Sequence, residues 1–273
     1  MKSMKLFLAT AATLAVTLVA CDRERFDNDW QSEQDNAIAE QTFDDVYKQV
    51  DTEAQSGFRT PQCSTVSFTY NADSTVADLT IDFGTNCLGT DGRLRSGRIL
   101  AHFEGRYRDA GSVVSVTFDN YYVNGNHVEG TKTITNNGRN AANNLSYTVQ
   151  VTGARITDTD GRSFTWESTR TNEWIAGEST TFATDGVNGI TDDIYLITGS
   201  ATGVNRNGVA WGANITTPLR RDLSCKWLTS GVIEVTRTGR AARSVDFGYP
   251  NNGDCDNQAL AKIGTNEFPI TLR

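Results

Sequence analysis

The stretch Cys63–Cys87, CSTVSFTYNADSTVADLTIDFGTNC, decides the fold of this chain, because it describes one closed structural unit. Two segments in which apolar and polar residues alternate flank a polar turn, a pattern typical of antiparallel strands that each bury one face. The second segment ends in Asp82-Phe83-Gly84, and a cysteine stands at each end of the stretch. The stretch therefore predicts a β-hairpin with cysteines at its open end.

A second stretch, Cys225–Cys255, has the same plan. It contains a strand segment at Gly231–Val235, a turn, a second segment ending in Asp246-Phe247-Gly248, and a closing cysteine. Four cysteines allow three pairings, and the equivalent positions in the repeat favour Cys63–Cys87 together with Cys225–Cys255. The alternative is a four-cysteine metal site, but zinc sites usually contain Cys-x-x-Cys pairs, and this sequence has none.

The same alternation continues to the end of the chain and predicts an all-β domain over residues 63–273. Threonine is abundant at the polar positions, as in sheets with one solvated face. We expect an antiparallel meander that forms a sandwich or an open barrel. Turns that need positive φ are predicted at Asp91-Gly92, Asn124-Gly125, Asn137-Gly138, Asp160-Gly161, Asp185-Gly186 and Asn207-Gly208.

Residues 32–56 form the one helical candidate. Ala39, Phe43, Val46 and Val50 recur at three- and four-residue spacing, which gives a single apolar stripe. Ser32 followed three residues later by an aspartate resembles a capping box, and a glycine and a proline after the pattern end it. The stripe has two possible partners: the β domain of the same chain, or another protein that docks on the helix.

The N-terminus predicts export and a lipid anchor. Residues 1–20 combine two lysines with an apolar run, and Leu18-Val19-Ala20 precedes Cys21, as in the lipobox of bacterial lipoproteins. The run of about 14 apolar residues is shorter than the roughly 20 that cross a bilayer. We therefore expect residues 1–20 to be a signal peptide, Cys21 to carry acyl chains, and the charged residues 21–31 to be a tether.

The charge of the chain argues against two classes of partner. The formal net charge of −8 becomes −10 when Lys2 and Lys5 leave with the signal peptide. An acidic protein has no electrostatic attraction to nucleic acid or to anionic lipid. We expect no nucleic-acid partner, and we expect membrane association through the acyl chains on Cys21.

No catalytic motif is recognisable. His102 and His127 are the two histidines of the sequence, and neither belongs to a nucleophile or metal motif. We predict no catalytic residue, no metal and no cofactor, although an oxygen-rich loop at 251–257 has the composition of a calcium ligand set. The alternative is a polysaccharide hydrolase, which needs two carboxyl groups facing each other across a cleft. The candidate pairs are Asp158/Asp160, Asp192/Asp193 and Asp254/Asp256.

Aromatic residues supply the binding hypothesis. Trp166 and Trp174 share one parity within a strand region, and Trp211 lies in another. Exposed tryptophan rings at such positions stack on sugar rings, whereas buried ones belong to the core. These three residues are the candidate ligand-binding residues.

Arginines cluster near both hairpins. Two interpretations are open: recognition of anionic glycan or lipopolysaccharide groups, or pairing with Asp and Glu across strands, which an acidic chain favours. The residues concerned are Arg93, Arg95, Arg98, Arg237, Arg240 and Arg243.

The lipobox, the charged tether, the helix and a β domain in which Asp-Phe-Gly precedes a cysteine together resemble uncharacterised lipoproteins of the Bacteroidota cell envelope. The resemblance implies a lipid-anchored outer-membrane protein, on the periplasmic face or the cell surface, and supplies no catalytic residues. We expect a non-enzymatic protein that binds a glycan or another envelope protein. The alternatives are a polysaccharide hydrolase with paired carboxylates, and an assembly subunit that docks through the helix at residues 32–54.

Overall fold

The computed structural model describes residues 29–56, 63–72, 76–180, 185 and 188–272. The predicted signal peptide, Cys21 and most of the predicted tether lie outside these ranges. None of the helices in the described ranges has the length and apolar character needed to cross a membrane. The elements are α1 (Gln31–Ser56), β1 (Thr65–Tyr70), β2 (Val76–Asp82), β3 (Cys87–Leu88), β4 (Leu94–Glu104), β5 (Val113–Val123), β6 (Asn126–Arg139), β7 (Leu145–Thr157), β8 (Ser163–Ala176), α2 (Asn188–Thr191), β9 (Ile194–Val204), β10 (Ala210–Asp222), β11 (Leu228–Arg237), β12 (Arg243–Asp246), β13 (Gln258–Ile263) and β14 (Asn266–Thr271).

The strands form one antiparallel sheet in chain order. Its order is β1-β2-β4-β5-β6-β7-β8-β9-β10-β11-β12-β13-β14, with the two-residue β3 paired to β4 beside this path. β1 and β14 are the two ends of this order, so the sheet is not closed. The predicted all-β antiparallel meander with one N-terminal helix is therefore confirmed, and of the two forms predicted it is the open one.

The sheet curves around α1. Asp45 pairs with Arg95 of β4, and Glu33 pairs with Arg243 of β12. These strands are eight steps apart in the sheet order, or ~38 Å across a flat sheet. The two acidic residues are about 18 Å apart along the helix axis. Both contacts form because the sheet bends and brings the distant strands towards the same helix.

Bulges contribute to this curvature. In β5 the inward-facing series passes from Phe118 to Tyr121, and the extra residue, Asn120, has a positive φ of 49°. The neighbouring strand accommodates this bulge with Gly97, because a Cβ at that position would lie 1.9 Å from the Asn120 carbonyl oxygen. Such bulges increase twist and bend the strand that carries them.

The apolar stripe of α1 forms the centre of the core. Ala39, Phe43, Val46 and Val50 are each at most 1% exposed. The Phe43 ring lies against Trp166 of β8, with ring centroids 5.6 Å apart. The sheet of the same chain thus covers the stripe, and the solvent-facing stripe that would favour docking of a partner is not found.

The start of α1 differs from the prediction. Asp29 caps the helix, because its Oδ1 accepts a hydrogen bond from the Gln31 amide at 3.0 Å. Ser32, the predicted cap, instead accepts a hydrogen bond from the Asn205 side-chain amide. Asp29 and Trp30 also contact the sheet through Arg243. The last residues of the predicted tether therefore belong to the folded domain.

Both disulfide-closed hairpins are confirmed. Cys63 is bonded to Cys87 and Cys225 to Cys255, with Cα atoms 5.2 and 5.7 Å apart. β1 pairs with β2 in the first hairpin, and β11 with β12 in the second. Each Asp-Phe-Gly contains the same hydrogen bond, in which the aspartate Oδ1 accepts from the glycine amide, at 2.8 Å for Gly84 and 2.9 Å for Gly248.

Candidate functional site

The three predicted tryptophans are core residues. Trp166, Trp174 and Trp211 are 4%, 3% and 5% exposed. Trp166 donates a hydrogen bond from its indole nitrogen to Asn36 on α1, and Trp174 donates one to Asp193. Strand alternation places all three on the face that packs against the helix, so they do not present an exposed surface for stacking on a sugar.

The predicted carboxylate pairs make local contacts in turns and at strand ends. Asp158 belongs to the turn between β7 and β8, and Asp193 directly precedes β9. Asp256, in the oxygen-rich loop at 251–257, lies two residues before the start of β13. Asp158 accepts hydrogen bonds from the Asp160 and Arg162 amides, and Asp193 accepts one from the Trp174 indole. Asp192 accepts a hydrogen bond from the Thr180 hydroxyl, and Asp256 accepts one from the Gln258 amide.

The preferred interpretation, pairing with carboxylates across strands, holds for Arg98. Acidic residues at 29–45 instead pair with Arg93, Arg95, Arg237 and Arg243. Arg98 bridges Asp82 and Asp119 on the outer face of the sheet, at 2.8 and 3.0 Å. Arg95, only 2% exposed, instead points inward and binds Asp45 on α1. Alternation along a strand predicts the cross-strand pairs but cannot show that an inward-facing arginine meets an acidic helix.

The inner face of the sheet carries positive charges that complement the negative charge of α1. Residues 29–56 contain eight acidic side chains and one lysine. Lys132 donates a hydrogen bond to the Phe43 carbonyl at 3.0 Å, and burial lowers the pKa of this lysine. The sheet cations that contact residues 29–56 are Arg93, Arg95, Lys132, Arg170, Arg206, Arg237 and Arg243.

A pocket opens where β5 and β6 separate. Their register pairs Val113–Val116 with residues 132–135 and resumes at Tyr122 opposite His127. Between these points, five residues of β5 (117–121) and four of β6 (128–131) are not paired with each other, which leaves a gap between the two strands. The resulting cavity of about 300 Å³ is lined by Phe118, Asp119, Asn120, His127, Val128, Glu129 and Gly130.

The pocket has an apolar floor and a polar wall. Val128 is fully buried, and the Phe118 ring lies 5.9 Å from the Phe43 ring of α1. Asp119 accepts a hydrogen bond from Arg98 at 3.0 Å, and Glu129 lies 3.7 Å from the His127 imidazole. The Asn120 side-chain amide donates to Asp119 at 3.1 Å, so the wall consists of connected carboxylate, amide and imidazole groups.

An aromatic pair stands beside the pocket. The Tyr122 and His127 rings are stacked, with centroids 4.7 Å apart and an interplanar angle of 29°. Tyr122 is 37% exposed, unlike the three core tryptophans. A polar pocket next to an exposed ring suits a small, hydroxylated ligand that also has an apolar face.

Sequence motifs did not reveal this pocket. By its pattern His127 is an ordinary sheet residue, and Asp119, Asn120 and Glu129 belong to no motif. The available signal was the spacing of inward apolar residues, which changes from two to three between Phe118 and Tyr121 and marks a bulge.

Comparisons with known proteins do not assign this chain to a family. No known protein family matches the chain, and no curated protein or solved structure is significantly similar to it. Within the described ranges, no three His, Cys, Asp or Glu side chains are grouped to hold a metal ion.

Proposed function

We propose that this protein is a lipid-anchored protein of the bacterial cell envelope that binds a glycan in the pocket between β5 and β6. The observation that carries the proposal is the gap in the sheet, where Asp119, Asn120 and Glu129 surround a cavity of about 300 Å³. A cavity of this size lies at the lower end of the range for small-molecule sites.

The chemistry of the pocket fits a sugar. Carboxylate oxygens accept hydrogen bonds from hydroxyl groups, and the Asn120 side-chain amide both donates and accepts them. The His127 ring, which lines the pocket, provides a flat surface for the C–H face of a pyranose ring. Two carboxylates and an amide suit an uncharged glycan, whose hydroxyl groups donate to them, better than an anionic ligand.

The anchor part of the proposal depends on the lipobox before Cys21. Two disulfide bonds in the domain are consistent with an oxidising compartment. Metabolic labelling with a fatty-acid analogue should mark the wild-type protein and leave a Cys21→Ala variant unlabelled. Equal labelling of both would show that Cys21 is not the acylated residue.

A polysaccharide hydrolase is the second candidate, because the same pocket contains two carboxylates, Asp119 and Glu129. Hydrolysis needs one carboxyl group that is protonated and can donate to the leaving oxygen. Asp119 already accepts a hydrogen bond from the Arg98 guanidinium at 3.0 Å, so binding without cleavage is the better match.

The test combines a glycan array with calorimetry. A glycan retained on the array is titrated into the wild-type protein and into Asn120→Gly and Glu129→Gln variants. Glycine tolerates the positive φ at position 120, so that variant removes the amide without straining the backbone. We expect both variants to lose at least about tenfold in affinity, or roughly 1.4 kcal/mol.

Glu104→Gln is the matched control, since this exposed carboxylate lies outside the pocket. Equal affinity in all variants would place the binding surface elsewhere. Shortened glycan in the incubated mixture would favour the hydrolase.

A further inference from the structure

The rim at one end of the sheet carries four exposed apolar side chains among polar turns. We call the proximal end the one at which β4 and β10 begin and β5, β9 and β11 end. Of the six large apolar side chains that are markedly exposed in the described ranges, four lie there. These rim residues, with their exposed fractions, are Leu88 (61%), Leu94 (41%), Tyr122 (37%) and Val204 (41%).

The rim has a defined arrangement. Leu88 and Leu94 are opposite each other in the β3–β4 register. Tyr122 pairs with Ser96, two positions further along β4, and so lies on the same face. Val204 ends β9 beside Ala210. Four apolar side chains therefore mark one end of a domain whose outer face is otherwise largely polar.

The N-terminal segment enters the domain at the same end. Arg237, the last residue of β11, and Arg243, the first of β12, both donate hydrogen bonds to the Asp29 carbonyl, at 2.9 and 2.8 Å. The Arg243 guanidinium also lies 4.2 Å from the centre of the Trp30 ring. Three contacts thus fix the start of the fold at the proximal end.

The tether to Cys21 is short. Eight residue steps separate Cys21 from Asp29, and a fully extended chain of that length spans at most about 28 Å. If acyl chains on Cys21 lie in a bilayer, the tether holds the proximal end close to the bilayer surface. The opposite end of the strands, which we call the distal end, is further away by the length of the strands.

We propose that the proximal end docks on the bilayer, with Leu88, Leu94, Tyr122 and Val204 inserted among the lipid headgroups. This proposal rests on the lipid anchor of the proposed function. Tyrosine with neighbouring leucines is the composition found at membrane interfaces. The attraction is apolar rather than electrostatic, because the chain is acidic.

The test uses residues 21–273, which include all described residues. The Cys21 thiol is coupled to a maleimide lipid in phosphatidylcholine vesicles, and amide hydrogen exchange is compared with that of protein capped at Cys21 by N-ethylmaleimide. We expect exchange to slow by about threefold or more at the proximal segments 88–94, 122–127 and 204–210, and to be unchanged at the distal turns 105–112 and 140–144.

A Leu88→Asp, Leu94→Asp double variant should lose this protection. Tyr70→Asp should keep it, because Tyr70 is 64% exposed at the distal end. Unchanged exchange at the proximal segments of the wild-type protein, or protection at the distal turns, would overturn the proposal. The wild-type comparison does not depend on either variant folding.

The chemical coupling separates this test from the proposed function. Docking is measured even if cells do not acylate Cys21 and even if the pocket binds no glycan. If Cys21 is not labelled in cells, the lipid anchor of the proposed function is wrong. Docking of the proximal end on vesicles would still have been measured.

Discussion

The Nη2 atom of Arg95 lies 2.7 Å from Oδ2 of Asp45 and joins β4 to α1 across fifty residues of sequence. The same guanidinium group binds Asp91 at 2.6 Å, so one buried cation holds two carboxylates. Arg95 and Asp45 are 2% and 9% exposed. The helix is thus held in the curved sheet by charge pairing as well as by its apolar stripe.

Replacing Arg95 with methionine should destabilise the fold strongly. The change leaves the Asp45 carboxylate buried with Arg93 as its remaining ion-pair partner. We expect the free energy of unfolding to fall by about 3 kcal/mol, measured by urea denaturation at pH 7.

Arg98→Met is the control, because Arg98 lies in the same strand and also bridges two carboxylates, Asp82 and Asp119, but on the exposed outer face. Its loss should leave stability almost unchanged. If both variants lost the same free energy of unfolding, the buried ion pair would contribute no more to stability than the exposed one.

The Arg95 bridge should also make stability depend on pH. The hydrogen bond from Arg95 lowers the pKa of Asp91 to about 2, below the ordinary value of 3.8. A carboxyl group with a lowered folded-state pKa stabilises the protein above about pH 4, and this contribution is lost as the pH falls towards 2. The difference in unfolding free energy between wild type and Arg95→Met should therefore narrow over that range.

Asp35 acts in the opposite direction. Burial raises the pKa of this carboxyl group, so its ionisation costs stability at neutral pH and acid relieves that cost. Both variants retain Asp35, so its contribution cancels in the comparison. A constant difference from pH 5 to pH 2 would contradict the role given to Asp91.

Gly97 should be irreplaceable at the bulge beside the pocket. An alanine there would place its Cβ 1.9 Å from the Asn120 carbonyl oxygen, in addition to the strain of a positive φ of 76°. We expect Gly97→Ala to cost about 3 kcal/mol or more. Gly92 has almost the same φ, 75°, but a Cβ at that position would meet no atom within 4 Å, so Gly92→Ala should cost only about 1 kcal/mol in thermal or urea unfolding. Similar losses of stability from both substitutions would mean that the positive φ, and not the contact with Asn120, determines the cost.

The two disulfides should stabilise the fold independently. Cys63→Ser and Cys87→Ser should each lower the free energy of unfolding by about 3 kcal/mol, and the double variant should lose little more, since either change removes the same bond. Combining Cys63→Ser with Cys225→Ser removes two bonds, and the losses should add. Additive losses for Cys63→Ser and Cys87→Ser would be inconsistent with the observed pairing.

Local patterns predicted much of this fold. The spacing of Ala39, Phe43, Val46 and Val50 predicted α1, and the alternation in Cys63–Cys87 predicted a disulfide-closed hairpin. These patterns report which residues share a face, because side-chain direction follows the backbone repeat.

The same patterns could not show what each face meets. Trp166 and Tyr122 both lie in alternating segments, yet one packs on α1 and the other is exposed beside the pocket. That difference depends on the curvature of the sheet and on the gap between β5 and β6, which arise from long-range pairing. The site was missed for this reason, although the bulge at Asn120 had a local signal.

Mapping glycan contacts by nuclear magnetic resonance tests the central claim most directly. Backbone amide shifts of the isotope-labelled domain would be followed during titration with a glycan retained on the array. The proposal predicts shifts concentrated in residues 117–121 and 127–131, which line or border the gap between β5 and β6. Shifts confined to another surface, or none at saturating glycan, would contradict a sugar-binding pocket at this place.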